Sequence, residues 1–75
     1  MFFKKEIKSI VLNVPDMHCG HCSAKIEGAV KAVKGVKKVA ADPATKEVKV
    51  EFDALKCTES AIRDAVLAAG FTVND

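Results

Sequence analysis

Apolar residues recur along this chain at two spacings, every second residue in some stretches and every third or fourth in others. From Ile7 to Val14 the alternation puts Ile10, Leu12 and Val14 on one face, which predicts a half-buried strand ended by Pro15-Asp16. From Ser23 to Lys34 the spacing turns helical. Ile26, Ala29, Val30 and Val33 form a stripe, while Lys25, Glu27, Lys31 and Lys34 lie outside it. Glu27 and Lys31 are set for an i,i+4 ion pair, and Gly35 suits the residue just past the helix end. Val36 to Ala41 reads as a second strand, Asp42 to Thr45 as a turn, and Lys46 to Phe52 as a third strand. In that third strand Val48, Val50 and Phe52 face inward, Lys49 and Glu51 outward. Thr58 is placed to cap a second helix whose stripe is Ile62, Ala65, Val66 and Ala69. Gly70 closes it, and Phe71-Thr72-Val73 predicts a short last strand.

The order βαββαβ predicts an α+β fold of ferredoxin-like type, a four-stranded antiparallel sheet with two helices on one face. Tracing the chain through that topology brings three connections to one end: the Cys19–Cys22 loop, the Asp42–Thr45 hairpin and the Gly70-Phe71 junction. The connection carrying Cys57 falls at the other end. A twelve-residue helix is about 18 Å long, so Cys57 is out of reach of the first two cysteines within one molecule.

Length and composition narrow the function. Seventy-five residues form a single domain, 1–75, with no space for a deep pocket beside a catalytic apparatus. The composition, 49% hydrophobic and 29% charged, is that of an ordinary globule, and apolar runs stay far below the roughly 20 residues a bilayer span needs. No signal-like apolar stretch follows Met1-Phe2-Phe3-Lys4-Lys5. Three cysteines, two of them in C-x-x-C, do not make a secreted disulfide framework, so a reducing, cytoplasmic setting is expected. Net charge is only +2, no argument for nucleic acid. The charge is uneven, however. Residues 1–38 hold eight Lys against three acids, net +5, and residues 39–75 hold four Lys/Arg against seven acids, net −3. A basic half of this kind reads first as an ordinary solvated surface, and in the sharper alternative as a face that steers docking onto an acidic partner.

The chemistry concentrates in Met17-His18-Cys19-Gly20-His21-Cys22. Two thiols three residues apart, between a strand and a helix, make a grip for soft metals such as Cu(I) and Zn(II). If Cys22 falls in the first helical turn, unpaired N–H groups and the helix dipole favour its thiolate. Haem attachment is excluded because Ser23, not His, follows Cys22. A closed structural zinc site wants four ligands, which His18, His21 or Cys57 of a neighbouring molecule would have to complete.

With M-x-C-x-x-C in this position, the βαββαβ order and Gly70-Phe71 after the second helix, the chain resembles the heavy-metal-associated domain over residues 6 to 74. That family includes free copper chaperones, N-terminal modules of soft-metal P-type ATPases and periplasmic mercury-binding proteins. The resemblance implies that Cys19 and Cys22 hold one Cu(I) in near-linear geometry. It also implies that they pass it by ligand exchange to the metal-binding domain of a P-type ATPase, with no enzymatic step. His21 matches a C-x-H-C variant associated with bacterial copper chaperones. Two positions depart from the pattern: Asp16 replaces the usual glycine before the Met, bearing on loop mobility, and Phe71 stands where many bacterial chaperones carry Tyr.

Around the thiols, Met17 is expected to plug the core beneath the loop rather than bind metal. His18 and His21 are both expected to be exposed, with a tuning group or a third ligand in a dimer as the alternative role of His21, which lies between the thiols. Phe71 is expected to shield the site from the rim. Lys25, one turn past Cys22, and Lys31 are the docking residues if the partner is acidic. The apo chain is expected to be monomeric, with a copper-bridged dimer as its accessible assembly. Rival readings are a module of a Cu, Zn or Hg transporter, a mercury-binding protein, or, more remotely, a thiol–disulfide oxidoreductase.

Overall fold

The structure, a computed structural model, describes residues 6–18 and 20–74. In chain order it contains β1 (Ile7–Asn13), α1 (Gly20–Lys31), β2 (Val36–Asp42), β3 (Glu47–Asp53) and α2 (Glu59–Ala68). The strands pair antiparallel in the order β1-β3-β2. One face of the sheet supplies Leu12, Val48, Val50 and Phe52 to the core. Ile26 and Val30 of α1 and Ile62 and Val66 of α2 close over them. On the opposite face Val11, Lys49 and Glu51 are exposed. No described helix is long and apolar enough to cross a membrane.

The architecture is ferredoxin-like, with three strands among the described residues instead of the expected four. The segment expected as the fourth strand, Phe71 to Val73, forms no ladder. It ends in one isolated bridge, Asn74 to Asn13, in which the Asn74 N–H donates to the Asn13 carbonyl at 2.8 Å. The reason is local: the Thr72 N–H donates to the Asp16 carboxylate at 3.3 Å, so it does not serve as a rung to β1. Three residues between Gly70 and Asn74 are then too few to build a strand.

Three further boundaries move. Helix α1 occupies Gly20–Lys31, three residues earlier than the apolar spacing predicts. Cys22 explains the shift: it packs half-buried against the core and begins the stripe continued by Ile26 and Val30. Second, Glu27 and Lys31 do not pair with each other across a turn. Glu27 Oε2 accepts from the Ala41 N–H at 2.9 Å, and Lys31 Nζ donates to the Lys37 carbonyl at 3.2 Å. Both reach across to β2, whose outer edge would otherwise present open backbone groups. Third, Lys46 leaves the strand for the hairpin, with φ +61. Its carbonyl accepts from the Val14 N–H at 2.8 Å, tying the hairpin to the end of β1.

The helix ends follow their local chemistry. The Thr58 hydroxyl accepts from the Ala61 N–H at 3.2 Å and caps α2. At the other end Gly70, with φ +98, allows the Gly70 N–H to reach the Leu67 carbonyl and the Phe71 N–H to reach Val66. This paired closure satisfies carbonyls left open by the last turn and fixes the direction in which Phe71 leaves the helix.

Candidate metal centre

The loop from Val14 to Cys22 is anchored by what lies beneath it. Met17 is fully buried, with Val14 beside it in the core, and the Met17 N–H donates to the Val14 carbonyl at 3.1 Å. This turn holds Met17 down as a plug, and His18 directly after it is exposed. Cys19 lies outside the described residues.

Helix α1 then starts at Gly20, inside the C-x-x-C motif, and sets Cys22 in its first turn. The first turn contains no Asp or Glu, so the positive end of the helix dipole faces this end of the motif without a competing carboxylate. Ser23, buried behind Cys22, returns its hydroxyl to the Gly20 carbonyl at 2.8 Å and tightens the same turn. His21 and Lys25 are exposed; Lys31 is exposed as well, with its Nζ directed to the Lys37 carbonyl.

Met17 is buried in the core, and Cys22 and Phe71, both half-buried, pack against that core. The Asp16-Met17 turn meets both the residue after the Asp42–Thr45 hairpin and the residue after the Gly70-Phe71 junction. Lys46 of the hairpin donates from Nζ to the Met17 carbonyl at 2.9 Å, and Thr72 of the C-terminal segment binds Asp16. Neither contact was legible beforehand. The signals present were Asp16 in an unusual place and a lysine at a hairpin corner; nothing in spacing paired either with its acceptor or donor.

Cys57 stands apart. It is buried beside Gly35, beyond the C-terminal end of α1, where a Cβ on Gly35 would lie 3.2 Å from its sulfur. Burial pushes the Cys57 thiol up, and the nearby Asp53 charge adds to it. A thiol held in its protonated form away from the loop is a packing residue.

A small α+β domain with a half-buried thiol in the first turn of the helix that follows a buried methionine fits the class of soft-metal-binding domains. The family model of the heavy-metal-associated domain matches residues 11–72, and the chain belongs to that family. The copper chaperone CopZ of Staphylococcus aureus (strain bovine RF122) is 33% identical over 63 residues, which span 84% of this chain and 93% of CopZ. Among solved structures, oxidized MerP from Ralstonia metallidurans CH34 superposes with a TM-score of 0.88 at 29% identity, over 92% of this chain and 96% of MerP. A copper-binding domain from HMA7, a P-type ATPase, gives a TM-score of 0.85 at 30% identity, covering 88% of this chain and 89% of that domain.

Proposed function

We propose that this chain is a cytoplasmic Cu(I) carrier that delivers its ion to the metal-binding domain of a soft-metal P-type ATPase. The carrying observation is Cys22, half-buried in the first turn of α1 directly after the exposed end of the loop. The likeness to CopZ and to an ATPase copper-binding domain supports both ends of the transfer. Cys19 and Cys22 are the donor pair. Two soft thiolates suit Cu(I) and leave its coordination open. A thiolate of the partner adds to the metal, a three-coordinate intermediate forms, and one of the original thiolates leaves. The ion is cargo, no covalent bond of a substrate is broken, and the role is not enzymatic. Lys25 and Lys31, exposed on α1 beyond the thiols, give an acidic partner its docking face.

The likeness to MerP supports a second reading, Hg(II) on the same thiols. One experiment separates them. The reduced chain is set in competition with a calibrated Cu(I) chelator, then with chelators for Zn(II) and Hg(II), alongside Cys22→Ser and Cys19→Ser. The expected result is tight one-to-one Cu(I) binding, far weaker zinc, and loss of Cu(I) in either variant with an unchanged far-UV spectrum. Stoichiometric Cu(I) retained in the serine variants, or zinc held comparably, would overturn the carrier role.

A further inference from the structure

Asp16 lies half-buried at the turn after β1, and both of its carboxylate oxygens are engaged by one residue 56 positions away. The Thr72 hydroxyl donates to Oδ1 at 2.7 Å and the Thr72 N–H donates to Oδ2 at 3.3 Å. Two residues later the Asn74 N–H meets the Asn13 carbonyl at 2.8 Å. These contacts run antiparallel, Asn13 with Asn74 and Asp16 with Thr72. The carboxylate thus takes the place of the ladder that the C-terminal segment does not form with β1.

This placement has a consequence for the metal end. Phe71 sits between Gly70, whose backbone sets its direction, and Thr72, which Asp16 holds. On the other flank the Lys46 ammonium grips the Met17 carbonyl at 2.9 Å. The Asp16-Met17 half of the loop is therefore clamped from two sides. Of the two grips, only the one through Asp16 ties the segment that carries Phe71 to the turn before the thiols.

We infer that Asp16 is a positioning residue whose clamp on Thr72 holds the Phe71 segment over the loop and sets the rate at which an incoming ligand reaches the metal. The inference rests on the carrier reading above. Asp16 is not a donor to the ion in that reading, so it acts on the barrier to exchange and not on the affinity. Both bonds are near solvent, and both end on the charged Asp16 carboxylate. Their loss should raise the population of the opened segment by about five- to tenfold.

The test uses the full chain with Asp16→Ala and Thr72→Val. In the reduced, metal-free protein, hydrogen exchange at the Thr72 N–H should speed up by about five- to tenfold in Asp16→Ala. In the Cu(I)-loaded protein, stopped-flow transfer to bathocuproine disulfonate should accelerate severalfold in both variants, with equilibrium affinity for Cu(I) within twofold of the parent. A residue that merely stabilised the fold would leave the transfer rate unchanged at temperatures where each variant is fully folded. Unchanged Thr72 exchange in Asp16→Ala overturns the clamp, and that measurement needs no metal. Tight Cu(I) binding with a transfer rate indifferent to Asp16, or faster only in proportion to lost affinity, overturns the inference and leaves the carrier role intact.

Discussion

Met17 offers the sharpest separation of packing from coordination, because it is a sulfur-bearing side chain two residues from Cys19 and yet has no exposed surface. Truncation to alanine removes three heavy atoms beyond Cβ, worth about 2.4 kcal/mol at roughly 0.8 kcal/mol per buried methylene-sized group. The cavity left behind adds to this, so Met17→Ala should fall in the range of about 2–5 kcal/mol, centred near 3. In a domain of this size each kcal/mol lowers Tm by about 4–8 °C, giving a loss on the order of 12–24 °C. Met17→Leu conserves volume and should cost less than about 1.5 kcal/mol. The assay is urea unfolding of the reduced protein followed by circular dichroism, paired with the Cu(I) competition. Met17→Leu should keep parental Cu(I) affinity, since leucine fills the same space and has no sulfur. A loss under about 1 kcal/mol in Met17→Ala would refute the plug, because a fully buried methionine cannot vanish from a packed core so cheaply. Weakened Cu(I) binding in a stable Met17→Leu would refute the claim that the thioether is not a ligand.

Two further outcomes test the end of the domain away from the metal. Gly35 holds φ +98, and a Cβ there would meet Lys56 Cβ at 2.8 Å. Gly35→Ala should therefore destabilise by about 2 kcal/mol or more from left-handed strain plus the clash, and a urea midpoint equal to the parent's would disprove this. Asp53 accepts from the Leu55 N–H at 3.0 Å and the Glu6 N–H at 3.4 Å. The Leu55 bond holds its carboxyl below the usual value; burial opposes this, and the Glu6 bond with the Lys56 and Lys37 charges reinforces it. A depressed folded pKa means the stabilisation is present above the unfolded value of about 3.9 and is lost as pH falls through the folded one. Urea midpoints from pH 7 down to pH 2 should accordingly show a shallower acid decline in Asp53→Asn, and parallel profiles would remove Asp53 from the acid response.

Much of the architecture was legible because it depends on short-range periodicity. Val48, Val50 and Phe52 are buried, Lys49 and Glu51 exposed, and Thr58 caps α2, all as alternation and capping chemistry require. The apolar spacing starts α1 only at Ser23, because Cys22 counts there as a metal ligand, whereas it also serves as the first apolar position of the stripe.

Sequence by itself determined the class of fold, two helices laid on an antiparallel sheet, and the loop where a thiol pair meets a helix start. Those features follow from residue types at fixed spacing, which the backbone converts directly into faces and termini. Only the tertiary structure decided that Glu27 and Lys31 serve the edge of β2 instead of each other, and that Phe71 to Val73 stays outside the sheet. It alone joined Lys46 to Met17 and Asp16 to Thr72. The physical reason is common to all four. A polar side chain bonds whichever unsatisfied partner the fold brings within about 3 Å, and contacts between residues 6 to 56 positions apart on different elements leave no periodic trace in the chain.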